Sequence, residues 1–121
     1  VPHQCNIYVL LDSMRKRPAM YIGDNNIFQL DSFLGGYFHA MIQVGADFIE
    51  TPSFDDFHDW IAHRFGYRES TAGWPRMILA VAAGMNPKKP SWENLKARVT
   101  QNDHRKSIKL FYELLDEYRA K

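Results

Sequence analysis

Ile27-Phe28-Gln29-Leu30-Asp31-Ser32-Phe33-Leu34-Gly35-Gly36-Tyr37-Phe38-His39-Ala40-Met41-Ile42-Gln43-Val44 is the stretch that decides the fold class. Within it Leu30, Phe33, Leu34, Tyr37, Phe38 and Met41 recur at steps of three and four, which places them on one face of an α-helix. The pattern predicts a long buried helix over residues 27–44, and this helix is expected at the centre of the domain. Gly35-Gly36 in its middle costs about 1 kcal/mol per glycine relative to alanine. The pair is therefore expected where another helix or backbone packs closely, with a kink as the alternative. Gly45 is expected to end the helix.

Upstream, Ile7, Leu10, Leu11 and Met14 give residues 6–16 the rhythm of a short amphipathic helix, stopped where Arg17-Pro18 disfavours further α geometry. Gly23-Asp24-Asn25-Asn26 is a turn cluster in which Asn25 or Asn26 can cap the long helix. Met20-Tyr21-Ile22 is expected to tuck into the core.

Downstream, Ser53 reads as the N-cap of a helix whose buried stripe is Phe57, Trp60, Ile61 and Phe65, with Gly66 just beyond its end. Residues 67–73 form a connection. Trp74-Pro75 opens a further helix through Ala83, closed by Gly84. Asn86-Pro87-Lys88-Lys89-Pro90 is the strongest loop signal. Ser91 is expected to cap a short helix reaching Thr100, and Asp103 the last helix, with Ile108, Phe111, Leu115 and Tyr118 on its buried face. No segment alternates with period two for long enough to demand a strand. The expected architecture is all-α, a compact bundle of about five or six helices in one domain spanning residues 1–121.

Composition narrows the function. With 121 residues, 45% hydrophobic and 14% aromatic, the chain can build one real core and still leave aromatics for a surface. Fifteen Lys and Arg nearly balance fourteen Asp and Glu, so no strong overall field draws the protein to nucleic acid or an anionic membrane. The lone Cys5 makes no intramolecular disulfide. No apolar run reaches membrane-spanning length and no charged-then-apolar leader is visible, so cytoplasm is the expected compartment. The opening Val1, in place of Met, reads as a trimmed start.

The histidines His3, His39, His58, His63 and His104 are the first candidates for chemistry, because imidazole ligates zinc and titrates near neutral pH. His58 and His63 point about 140° apart around a helix axis. Asp59 and His63 share a face at i, i+4, but no third ligand can be nominated. Surface or capping histidine is the preferred reading. No G-x-S-x-G, P-loop, G-x-G-x-x-G or H-E-x-x-H pattern is present. Neither catalytic residues, nor a metal, nor a cofactor is expected, and the chain is expected not to be an enzyme.

Charge patterning is more informative. Asp47, Glu50, Asp55, Asp56 and Asp59 form a stretch without Lys or Arg, whereas Lys88, Lys89, Lys96, Arg98, Arg105, Lys106 and Lys109 dominate the later part. The acids can serve a helix N-terminus and a solvated face. Alternatively they form a patch, edged by Trp60 and Tyr67, that meets a basic partner such as a nuclease toxin. The candidate partner-binding residues are Asp55, Asp56, Asp59, Trp60, Arg64, Tyr67 and Glu69. The basic tract supports the rival idea of a small helical nucleic-acid-binding or regulatory module using residues 88–109.

Two resemblances add to this. Arg15-Lys16-Arg17-Pro18-Ala19-Met20-Tyr21-Ile22-Gly23-Asp24 is similar to the R-K-R-P-G-M-Y-I-G-D stretch of gyrase B and its topoisomerase relatives. In that family the next helix carries a water-activating Glu and a magnesium-holding Asn, and Leu30 to Ala40 contains neither. ATPase chemistry is therefore not expected, and the match implies a shared helix, turn, helix solution. The wider series resembles a family of small bacterial proteins that often resemble immunity partners of contact-dependent inhibition and other polymorphic toxins. It comprises Arg17 to Gly23, Leu30 to Tyr37, Phe57-His58-Asp59-Trp60, Ser70-Thr71-Ala72-Gly73-Trp74 and Phe111 to Asp116. That resemblance implies a cytoplasmic immunity protein that binds a cognate toxin domain and occludes its active site or substrate surface.

Overall fold

A computed structural model describes residues 3–23 and 26–121 of the chain. The helices α1 (Ile7–Lys16), α2 (Pro18–Tyr21), α3 (Ile27–Gln43), α4 (Phe57–Phe65), α5 (Trp74–Ala82), α6 (Leu95–Arg98) and α7 (Gln101–Arg119) account for most of it. Two of them, α2 and α6, are single turns, so five helices of two or more turns carry the bundle. The all-α expectation holds, with one small addition. Strands β1 (Gln4–Cys5) and β2 (Asp47–Phe48) pair in parallel, Gln4 with Asp47 and Cys5 with Phe48. Two residues per strand are too few to show as period-two alternation.

Local chemistry explains most boundaries. Asn6 and Asn26 cap α1 and α3 by accepting backbone N–H groups, from Tyr8 and from Phe28 and Gln29 respectively. Asn25, the other predicted cap, lies outside the described residues. Gly66 follows α4 with φ 78°, a left-handed conformation that a side chain would resist. The start of α7 differs from expectation. Its N-cap is Thr100, and Asp103 is the reciprocal member of a capping box, its carboxylate accepting the Thr100 N–H at 2.9 Å. Ser91 caps nothing; α6 begins only after Asn94, and the Ser91 carbonyl accepts from Arg98 at 2.5 Å.

The buried residues form one cluster, and its centre is α5 rather than α3. Helices α5 and α7 make the most extensive helix pair, and Met77, Ile78 and Leu79 of the one and Phe111, Leu114 and Leu115 of the other are buried. An aromatic network ties in α4: the Phe57 ring lies 5.7 Å from Phe111 and 5.3 Å from Tyr118, and Trp74 lies 4.8 Å from Phe111. Helix α3 buries only Ile27, Leu30 and Leu34. Phe33, Tyr37, Phe38 and Met41 of its stripe are half-buried. Gly35 and Gly36 are exposed within an unbroken helix, and a Cβ at either would meet nothing within 4 Å. Close packing at that pair is thus absent in the chain itself.

The segment from Arg15 to Gly23 works as a corner. Arg15 pairs with Asp116 at 2.8 Å, donates to the Tyr112 carbonyl and lies over the Tyr112 ring, joining α1 to α7. Tyr21 meets Phe33 edge-on at 5.6 Å and Ile22 is buried, whereas Met20 is 69% exposed rather than tucked into the core. Asp24 lies outside the described residues.

Candidate functional site

The acidic residues are set by one local device. Ser53 accepts the Asp55 N–H at 3.3 Å, starting a 3-10 turn over Phe54–Asp56 that runs directly into α4. Phe54 and Phe57 go inward, which leaves Asp55 and Asp56 exposed between them. One turn on, Asp59 is exposed too, accepts the Ser70 hydroxyl at 2.5 Å and lies 3.5 Å from His58 Nε2. All three carboxylates sit at the positive end of the α4 dipole, where negative charge is favoured. Among the described residues no Lys or Arg pairs with any of them. Burial raises the Tyr118 phenol, and the nearby Asp56 and Asp55 charges add to that.

The remaining predicted site residues divide. Trp60 is half-buried between Phe57 and Tyr118, with ring separations of 6.1 and 5.4 Å. Arg64 is committed to Glu117 of α7 at 2.8 Å. Tyr67, predicted at the edge of the patch, is in the core: its hydroxyl donates to the Met77 carbonyl at 3.0 Å, and burial pushes its pKa up to about 12. It reads as surface in the sequence because it follows a glycine in a loop. Glu69 is exposed, accepts from Thr71 at 2.9 Å and lines a separate cavity with Tyr67 and Trp92. Glu50, part of the acidic stretch, is buried and accepts the Ile7 N–H at 3.1 Å, so it caps α1 from a distance. The surface patch reduces to Asp55, Asp56 and Asp59 beside Trp60.

Sequence reading missed the groove that borders this patch. Because α3 packs loosely, a series of openings follows its side. A cavity of about 310 Å³ is lined by Asp31, Phe38, Phe54, Asp55 and Trp74. It shares Asp31, His58 and Trp74 with a cavity of about 390 Å³ that also takes in Phe28, Arg76 and Lys96. Asp31 is exposed overall, yet partial burial holds its carboxyl above the ordinary carboxylate value, and Arg76 pulls the other way. The only signal available beforehand was the polar Asp31-Ser32 inside an apolar helix.

The basic tract is exposed and free of ion pairs among the described residues. Lys96 lies over the Phe28 ring at 4.6 Å, and Arg105, Lys106 and Lys109 share the outer face of α7. In the body of that helix the bases Arg105, Lys106 and Lys109 precede the acids Glu113, Asp116 and Glu117, while its ends, with Asp103 in the first turn and Arg119 in the last, agree with its dipole. The acids Asp116 and Glu117 are held there by Arg15 and Arg64. The histidines divide as well. His104 is buried, its Nδ1 accepting the Ile27 N–H at 3.4 Å, so it helps cap α3. His3, His39 and His63 are exposed. Among the described residues no three His, Cys, Asp or Glu side chains gather to hold a metal ion, and no helix is long and apolar enough to cross a membrane.

No family model, curated protein or solved structure matches the chain.

Proposed function

We propose that this chain is an immunity protein, which binds a cognate bacterial toxin domain and blocks that domain's active site or substrate surface. The observation that carries the reading is the set of exposed carboxylates Asp55, Asp56 and Asp59, free of Lys and Arg partners among the described residues and bordered by aromatic surface and an open groove. Unneutralised carboxylates speed association with a basic partner, and aromatic anchors supply affinity once it docks. A nuclease, whose substrate surface must be cationic to hold phosphates, is a partner of fitting charge. The mechanism is occlusion, with no catalysis by this chain and no cofactor, in the cytoplasm where the toxin acts.

The test is co-expression with the product of the gene adjoining its own. Cells are expected to survive that product only when this chain is present, and the two proteins to co-purify. Survival without the chain, or failure to co-purify, would contradict the reading. A second reading, nucleic-acid binding, is favoured by Lys96, Arg105, Lys106 and Lys109, which are exposed and have no carboxylate partner among the described residues. It requires affinity that falls steeply with salt, and no retention of DNA or RNA at low salt dismisses it.

A further inference from the structure

The cavity between α3 and the start of α4 combines two features that attract the same kind of group. Its aromatic walls are built around Phe54, with Phe38 near-parallel at 6.2 Å and Trp74 near-perpendicular at 6.1 Å. Its polar lining is Asp31, Asp55 and His58, with neither Lys nor Arg among the lining residues. Aromatic faces and carboxylates both favour a cation, and together they select a flat, delocalised one. Elsewhere the chain meets this need internally: Arg15 lies over Tyr112, Arg119 over Tyr8 and Lys96 over Phe28. Here it does not.

The space is kept open from the α3 side. Gly35 lines the cavity, and a Cβ placed on it would meet nothing within 4 Å. A glycine inside a helix is less favourable than alanine, and among the described residues no close packing at Gly35 offsets that. The volume of about 310 Å³ matches a small ligand pocket, at the lower end of the usual range of about 300–1,000 Å³.

We propose that this cavity receives the guanidinium group of an arginine presented by a basic protein partner, held by the carboxylates of Asp31 and Asp55 against the half-exposed Phe38 ring, which Phe54 and Trp74 back from the core side. The proposal rests on the reading of the chain as a binder of a basic protein. Arg76, in the adjoining cleft, already acts on Asp31, so Asp55 supplies the stronger attraction. The partial burial that disfavours the Asp31 charge is the cost that an incoming cation would offset.

The test uses the full chain and two small probes, Nα-acetyl-arginine amide and its neutral isostere Nα-acetyl-citrulline amide, in an NMR titration near neutral pH. The arginine probe is expected to give saturable shifts at Gly35, Asp55 and the Trp74 indole, with the citrulline probe at least about tenfold weaker. Asp55→Asn should weaken the arginine probe by a similar factor, and Gly35→Leu should remove binding from a chain whose spectrum stays dispersed. If Gly35→Leu fails to fold, Asp55→Asn decides alone. Equal binding of both probes, shifts spread over every exposed acid without saturation, no shifts, or indifference to Asp55→Asn would overturn the pocket. Neutralisation of a toxin without arginine binding would remove the pocket and leave the function. Arginine binding without any toxin partner would do the reverse.

Discussion

Helices α5 and α3 are both rich in apolar residues, yet α5 buries six of its nine residues and α3 three of its seventeen. The difference lies in what each can reach. Pro75, Met77, Ile78, Leu79 and Ala80 are enclosed by α4, α7 and the aromatic network, whereas α3 fully buries only Ile27, Leu30 and Leu34 and rests Phe28, Phe33, Tyr37 and Phe38 half-buried against the core. An apolar stripe shows that a helix face needs covering. It does not say whether the chain itself provides the cover. On α3 the half-covered Phe38 and the exposed Gly35 line the cavity beside Asp55, so the incompletely covered part of this helix borders the acidic surface.

Substitutions on the two helices should behave differently. The largest effect is expected on the α5 and α7 side: Phe111→Ala, which opens a hole between Phe57 and Trp74, should cost about 3–5 kcal/mol in urea denaturation. Thr100→Ala removes one half of the α7 capping box and should cost about 1 kcal/mol by the same measurement. On α3 the sign should invert. Gly36→Ala adds a methyl into open space and should stabilise by about 0.5–1 kcal/mol. A loss instead would mean that the glycine pair is doing structural work inside the chain.

The smallest effect depends on pH and on the single 3.4 Å hydrogen bond from Ile27 to His104. Burial lowers the His104 pKa below its usual 6.5, while Asp103 opposes that shift. A depressed histidine pKa means that the unfolded chain binds the proton more tightly. Its contribution is therefore complete above about 6.5 and is lost as pH falls through the folded value. Stability measured at pH 7.5 and pH 5 should drop toward acid, and His104→Gln should flatten part of that slope.

Much of this was legible beforehand because it follows from local chemistry. Asn26, Ser53 and Gly66 marked their helix ends correctly, since capping and left-handed geometry depend on one residue and its near neighbours. The buried face of α7 was readable from period alone, and Ile108, Phe111, Leu115 and Tyr118 are all buried. What depended on distant partners was not. Glu50 capping α1, Tyr67 bonding to Met77 across the connection into α5, and His104 reaching α3 each join residues of different segments. Met20 failed for a related reason: its turn is amphipathic in composition, but α2 is too short to turn every apolar residue inward. At the site, the carboxylates were found and the cavity beside them was not, because a cavity is set by what fails to pack.

The measurement closest to the central claim compares the two charged surfaces directly against the product of the adjoining gene. Affinity is read by calorimetry for the unaltered chain, for Asp55→Lys with Asp59→Lys, and for Lys106→Glu with Lys109→Glu. Recognition through the acidic surface predicts a loss of at least about a hundredfold, near 3 kcal/mol, for the acidic pair and little change for the basic pair. The opposite pattern, with the acidic pair neutral and the basic pair disruptive, would contradict it.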